Sequence, residues 1–398
     1  MQAVEDSPLL EDRPVVEQAG ELRSARIESL RAVAALAVYI GHVFGQAYAY
    51  DPARTLDTLP HRTLLGGGFG VYLFFALSGY LLFLPFARRD YDGGPAVDYR
   101  RYAQNRVVRI LPLYFAVVVV LLLATESGGT LKQWLTWLTF SENFTSDRSQ
   151  VTDVNGVMWS LVIEMHFYLL LPFIAFALAR LARGSLGRAA VLLGALGLAS
   201  FVLRYVTFYE DSGPVDPTVD YSLPSTFMFF VAGMAVVFAR IAWQRHPPRF
   251  VRGPLAWAET WIVASLVFWV LVFDDYSHGY LAAIASALLL AACVMPLRTG
   301  PVVRLLEWRV LAFVGVASYS FYMWHLPILE QIGETSWKPD SFPGLLLLTL
   351  PLCLAVAIVS YRFIEAPFLR LRRRWGATAA RQTASSEEQP ARREAAAH

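Results

Sequence analysis

Two ionisable side chains stand in a long apolar stretch near the start of the chain. Residues 26–42, R-I-E-S-L-R-A-V-A-A-L-A-V-Y-I-G-H, contain Arg31 and His42. At about 100° per residue, both side chains fall on one helix face about 16 Å apart, and Glu28 shares that face. An imidazole can take up a proton in general base catalysis. Because a titratable group inside a membrane helix costs a few kcal/mol, a functional role is the first hypothesis. In the alternative, Arg31 only reaches the head groups and His42 is a hydrogen-bonded interior residue.

Two further polar stripes lie in apolar segments. The stretch W-S-L-V-I-E-M-H-F-Y places Glu164 about two turns inside the fourth apolar run. A carboxylate at that depth needs a partner, either a substrate or a neighbouring helix that it holds by a hydrogen bond. In S-Y-S-F-Y-M-W-H-L-P, Ser318, Tyr322 and His325 share one helix face at i, i+4 and i+7. These positions are candidates for binding or supporting a substrate.

A pair of arginines opens the third apolar run. Arg106 and Arg109 are three residues apart and share a helix face in R-V-V-R-I-L-P-L-Y. Guanidinium groups suit phosphates because each presents a planar fork of donors. The alternative is the general excess of arginine on the cytoplasmic side of membrane proteins. In the second run, Ser78 and Gly79 permit a close approach between helices.

The composition indicates a membrane protein and excludes several other classes. The chain has 398 residues, of which 56% are hydrophobic, and its mean hydropathy is +0.43. Apolar runs of about twenty residues recur throughout, as in polytopic helical proteins. The net charge of +2 does not suggest nucleic-acid binding. Cys293 and Cys353 both lie in apolar segments, so we predict neither a disulfide framework nor a metal site.

These patterns predict an all-α, polytopic membrane helix bundle with about ten transmembrane helices. The predicted spans are residues 30–50, 67–86, 107–124, 157–179, 189–208, 223–242, 258–273, 279–297, 311–332 and 344–363. Arginines gather in alternate loops and acidic residues in the others, so both termini are expected to be cytoplasmic. We expect a multi-pass protein of the plasma (inner) membrane with a disordered tail at residues 1–25, a transmembrane domain at 26–374 and a second disordered tail at 375–398.

Five stretches together resemble the acyltransferase 3 family of integral-membrane O-acyltransferases. They are L-R-A-V-A-A-L-A-V-Y-I-G-H, G-V-Y-L-F-F-A-L-S-G-Y, R-V-V-R-I-L-P-L-Y, W-S-L-V-I-E-M-H-F-Y-L-L-L-P and S-Y-S-F-Y-M-W-H-L-P, followed by a final F-I-E-A-P. The resemblance implies transfer of an acyl group, commonly acetyl, from a cytoplasmic donor to a hydroxyl. The acceptor would be a sugar, cell-wall glycan, lipid or exported small molecule.

The resemblance also implies roles for particular residues. Arg31 and His42 match the essential pair of the family, and Arg106 and Arg109 match its Arg-x-x-Arg element. Glu164 matches the first acidic residue of the usual W-S-L-x-x-E-E-x-F-Y motif.

The chain departs from the family pattern at several positions. Met165 replaces the second acidic residue, and Tyr72 stands where Asp is usual. Around Arg31, the usual Asp, Gly and Gly are replaced by Glu28, Ser29 and Ala32. These departures bear on the identity of the acceptor and on the fine geometry of the site more than on the reaction, because Arg31, His42 and Glu164 are all present.

These observations lead to a mechanistic hypothesis with acyl-CoA, most simply acetyl-CoA, as donor substrate and no permanently bound cofactor. Its phosphates would bind near Arg106 and Arg109, and His42 would take the proton of the attacking hydroxyl. Ser78, Tyr322 or a backbone donor would stabilise the oxyanion. An acyl-histidine intermediate is the variant mechanism. The rival hypotheses are a transporter or flippase, which also uses polar residues at mid-depth, and a sensor or scaffold.

Overall fold

The computed structural model describes residues 15–48, 58–124, 128–210, 216–274 and 278–371, with the backbone alone at residues 15–24 and 209–210. Throughout these ranges the regular elements are helices, and an isolated bridge joins Trp257 to Arg298. The helices are α1 Val15–Tyr48, α2 Leu59–Leu65, α3 Gly70–Tyr91, α4 Tyr99–Ala124, α5 Leu131–Leu138, α6 Arg148–Thr152, α7 Trp159–Ala182, α8 Leu186–Tyr205, α9 Pro217–Asp220, α10 Leu223–Arg245, α11 Ala258–Asp274, α12 Leu281–Val294, α13 Pro301–Leu305, α14 Arg309–Val316, α15 Ser318–Gly333 and α16 Phe342–Ser360.

Seven helical segments in the described ranges are long and apolar enough to cross a membrane. They are Ala25–Tyr48, Leu59–Tyr91, Tyr99–Ala124, Trp159–Ala182, Leu186–Phe208, Pro217–Arg245 and Phe342–Leu371. The all-helical class and a multi-pass membrane architecture therefore agree with the sequence-based prediction.

The other three predicted spans correspond to shorter helices. α11 has 17 residues and α12 has 14, against the roughly 20 that a helix needs to cross the hydrocarbon core. The ninth predicted span is divided between α14, with 8 residues, and α15, with 16, and the break falls at Ala317. The total of ten spans and the cytoplasmic position of the termini stay predictions.

The first helix begins earlier than the sequence suggested. The sequence predicts a disordered tail as far as residue 25, but α1 starts at Val15. Residues 15–25 contain Glu, Gln, Ala, Leu and Arg, which are good helix formers, and no proline interrupts them before the apolar run. Residues 1–14 and the predicted C-terminal tail lie outside the described residues.

Glycines allow the central helices to approach closely. A Cβ at Gly79 on α3 would overlap the carbonyl oxygen of Phe230 on α10, and one at Gly233 would overlap the carbonyl oxygen of Ala76. A Cβ at Gly315 on α14 would overlap the carbonyl oxygen of Glu28 on α1. α1 also packs against α3, α15 and α16. These contacts place the candidate residues of α1, α3 and α15 in one interior region.

The connection between α4 and α7 contains a buried carboxyl group. Glu142 lies in a 3₁₀ turn, Glu142–Phe144, and is completely buried. The Tyr114 hydroxyl donates a hydrogen bond of 3.0 Å to its Oε1. Burial raises the pKa of the Glu142 carboxyl to about 8, because desolvation penalises the charged form more than the hydrogen bond from Tyr114 favours it.

Candidate active site

Seven of the residues singled out in the sequence line one internal cavity, which we call the arginine cavity. It lies between α1, α3, α4, α7 and α15 and has a volume of about 70 Å³. The seven residues are Arg31, Ser78, Arg106, Arg109, Glu164, Ser318 and Tyr322. They come from five different helices, so the bundle brings together groups that are far apart in the chain.

The carboxylate of the arginine cavity is held by a serine. Ser78 Oγ on α3 donates a hydrogen bond to Glu164 Oε1 on α7. Tyr168, one turn further along α7, also lines the cavity. Since Ser78 donates to Glu164, the serine and the carboxylate act as one hydrogen-bonded unit.

Two guanidinium groups keep unused donors in the interior. Arg31 Nε and Arg106 Nε are buried and have no hydrogen-bond partner among the described residues. The Arg106 guanidinium lies over the Tyr168 ring, 5.6 Å from its centroid. A buried donor without a partner is costly in the protein alone. An anionic ligand would satisfy both groups.

The third arginine has a carboxylate partner that sequence reasoning did not assign. Arg109 Nη1 lies 3.7 Å from Glu365 Oε2. Glu365 is only 2% exposed and accepts a 2.5 Å hydrogen bond from Ser320 Oγ on α15. It belongs to the F-I-E-A-P stretch, in a π-helical turn, Tyr361–Glu365, that follows α16. The available signal was an acidic residue at the end of the last apolar run.

The two histidines form a separate pair. His42 Nδ1 on α1 and His325 Nε2 on α15 are 2.9 Å apart. The rings are stacked with centroids 5.1 Å apart and an angle of 24° between their planes. His325 is completely buried. The spacing argument placed each histidine on a polar face within an apolar run, and the packing of α1 against α15 brings the two together.

The histidine pair does not line the arginine cavity, but Tyr322 connects the two. The Tyr322 side chain lines the cavity, and its carbonyl oxygen is 2.8 Å from His325 Nδ1. Tyr322 packs with Val38 and Phe74 in a small apolar cluster, and Val38 is one helical turn from His42. The aromatic wall of the cavity therefore lies next to the histidine pair.

Glu28 is also outside the lining of the arginine cavity. Its Oε2 atom is buried without a hydrogen-bond partner among the described residues. The carboxylate is close enough to Arg31 to interact with it electrostatically, as expected for residues three apart on a helix. The negative charge of Glu28 thus partly compensates the positive charge of Arg31.

No group of three or more His, Cys, Asp or Glu residues in the described ranges is arranged to hold a metal ion. Cys293 and Cys353 are free and buried.

Comparison with known proteins places the chain in a family. A family model described as an acyltransferase domain, Acyl_transf_3, matches residues 24–362. A Bacillus subtilis (strain 168) relative with the provisional name peptidoglycan O-acetyltransferase YrhL is 29% identical over 337 residues, which are 76% of this chain and 50% of the relative. O-acetyltransferase OatA of Staphylococcus aureus (strain NCTC 8325 / PS 47) is 23% identical over 362 residues, 86% of this chain and 56% of the relative. The chain thus spans about half the length of these curated relatives. No solved structure matches the chain.

Proposed function

Because the chain belongs to this acyltransferase 3 family, as the match over most of its length shows, we propose that it transfers an acetyl group from acetyl-CoA to a hydroxyl of a glycan. The observation that carries the proposal is the arginine cavity itself. It combines unpaired guanidinium donors with a carboxylate, and its wall adjoins a histidine pair inside the membrane bundle.

The proposed donor site has two parts, the arginine cavity and its mouth. The volume of about 70 Å³ is far below the roughly 300–1,000 Å³ of pockets that hold drug-sized ligands. The cavity therefore suits a small acyl group and excludes the nucleotide of coenzyme A. The phosphates bind at the mouth beside Arg106 and Arg109. The pantetheine arm brings the acetyl group to the cavity wall at Phe74 and Tyr322, which adjoins the histidine pair.

The proposed reaction is direct acyl transfer. The acceptor oxygen bonds to the thioester carbonyl carbon while His42 takes up the hydroxyl proton. Collapse of the tetrahedral intermediate breaks the carbon–sulfur bond, and the thiolate of coenzyme A receives the proton from His42. Arg31 lines the cavity together with Arg106 and Arg109 and helps to bind the anionic donor. Glu164, held by Ser78, orients the acceptor.

We propose a cell-surface glycan as the acceptor and the plasma membrane as the location. The relative from Bacillus subtilis carries peptidoglycan in its name, which supports a sugar hydroxyl of a cell-wall polymer. A glycolipid or a secreted small molecule such as a macrolide-type sugar offers the same chemistry. Mass spectrometry of surface glycans and secreted metabolites from cells with and without the gene distinguishes these acceptors.

The test uses purified protein in lipid nanodiscs with radiolabelled acetyl-CoA and peptidoglycan fragments. We expect acetyl ester formation. Replacing Arg106 and Arg109 by Gln should raise the KM for acetyl-CoA at least about tenfold, because each charge-assisted hydrogen bond is worth about 1.5–3 kcal/mol. Arg180→Gln is the matched control, since this arginine is exposed at the end of α7. An unchanged KM in the double variant, or passage of the glycan across vesicles without acetylation, would contradict the proposal.

A further inference from the structure

Three hydrogen-bonding groups are lined up in the interior of the bundle. They are the carbonyl oxygen of Tyr322, the imidazole of His325 and the imidazole of His42. The distances are 2.8 Å from the Tyr322 oxygen to His325 Nδ1 and 2.9 Å from His325 Nε2 to His42 Nδ1. A second carbonyl oxygen, that of Phe321, is 3.2 Å from His325 Nδ1. The hydrogen bonds at the Tyr322 end of this line determine which nitrogen of His42 carries the proton at the other end.

The first step follows from the backbone. A carbonyl oxygen can only accept a hydrogen bond. Because two carbonyl oxygens face His325 Nδ1, that nitrogen must carry the proton and donate it. With the opposite assignment, a nitrogen lone pair would face two carbonyl oxygens in a completely buried place.

The second step follows from neutrality. Neither histidine forms an ion pair with a carboxylate in the described part of the chain, so a charged imidazolium there would be uncompensated. A neutral imidazole carries one N–H. Since His325 has it on Nδ1, His325 Nε2 is an acceptor, and His42 Nδ1 must donate to it.

We infer that His325 is a positioning residue that holds His42 in the tautomer with the proton on Nδ1, which leaves Nε2 as the atom that takes the acceptor's proton. The role of His42 as a base rests on the proposed function, whereas the assignment of its tautomer does not. When Nε2 takes up the proton, His42 becomes positively charged. The existing hydrogen bond to His325 then becomes charge-assisted and stronger, which stabilises the imidazolium.

The surroundings of His325 keep its ring in this orientation. The Phe321 ring stacks on it with centroids 6.0 Å apart and 12° between the planes, and Tyr39 meets it edge-on at 6.2 Å. Tyr39 is itself fixed by a 2.6 Å hydrogen bond to Thr349 on α16. A ring flip of His325 would break its bonds to α15 and to α1 together.

The direct test is ¹⁵N NMR of the full-length protein with labelled histidine, in nanodiscs, with His42→Ala to assign the signals. We expect the wild type to show a protonated Nδ1 and a bare Nε2 on His42. A bare Nδ1 in the wild type overturns the inference. This readout is independent of activity. If the protein were inactive in every acyl-transfer assay, the proposed function would be refuted, and the NMR spectrum would still test the tautomer of His42.

A pair of variants tests the catalytic consequence. The side-chain amide of His325→Gln reaches about as far as Nε2 and can accept from His42 Nδ1, whereas His325→Asn reaches only the Nδ1 position. We expect His325→Gln to keep kcat within about tenfold of wild type, and His325→Asn to lose about 10²-fold or more, as expected when a general base is misaligned. The KM for acetyl-CoA should change little in both. Equal kcat values in the two variants would overturn the inference.

Discussion

The buried ion pair between Arg109 and Glu365 gives the sharpest quantitative prediction for the fold around the site. At 3.7 Å and an effective dielectric constant of about 20, two unit charges attract by about 4 kcal/mol. Arg109 is 18% exposed at its side chain, whereas Glu365 is 2% exposed. Water therefore screens one partner, and we expect a coupling of about 2 kcal/mol between them.

A double-mutant cycle measures this coupling. Glu365→Gln keeps the shape and the hydrogen bond from Ser320, and Arg109→Gln removes the cation. Unfolding free energies in mixed detergent micelles for the wild type, both single variants and the double variant isolate the interaction. The losses of the two single variants should together exceed the loss of the double variant by about 2 kcal/mol, because each single variant leaves one charge buried alone.

The chain supplies its own control. Arg148 and Asp220 form a 2.7 Å ion pair, but the Arg148 side chain is 54% exposed. Exposed pairs contribute about 0–1 kcal/mol. If the Arg109–Glu365 coupling is no larger than that of Arg148–Asp220, our reasoning about the buried counter-ion is refuted.

Three further predictions follow from single positions. His42→Ala should lower kcat for acetyl transfer by at least about 10²-fold with little change in donor KM; a kcat near that of wild type would contradict its role. The pKa of Glu142 is raised to about 8 in the folded protein, against about 4.3 for an exposed carboxyl group. Its contribution to the free energy of unfolding is therefore fully present below about pH 4 and is lost as the pH rises from there through 8. Glu142→Gln should therefore flatten the decline in unfolding temperature between about pH 5 and pH 8, and a parallel decline would contradict this. Gly79→Ala should cost about 1–3 kcal/mol by overlap with α10, whereas the control Gly194→Ala, with open space at its Cβ, should not destabilise; equal effects would refute the packing argument.

The sequence predicted the membrane helices well where apolar runs are long. The seven long helices coincide with predicted spans because hydropathy and length suffice to define them. The division of the ninth span could not be predicted, since α14 and α15 separate where α14 packs closely on α1 at Gly315. Such a break depends on the neighbouring helix, which a local pattern does not describe.

Several residues that the sequence singled out line one cavity, but their partners on other helices could not be predicted. Helical periodicity placed Arg31 and His42 on one face of α1, and membrane depth made Glu164 a candidate. The partners of His42 and Glu164 are on other helices, α15 and α3. Periodicity within one helix carries no information about which helices touch. For the same reason the sequence alone assigns no role to Glu365, whose partner Arg109 is on α4.

The central claim is that the arginine cavity and the histidine pair serve one reaction. A cryo-electron microscopy structure with a non-hydrolysable thioether analogue of acetyl-CoA tests it most directly. We predict phosphate density within hydrogen-bonding distance of Arg106 and Arg109, with the acetyl group beside His42 Nε2. Analogue bound elsewhere, or with its acetyl group remote from His42, would contradict the account.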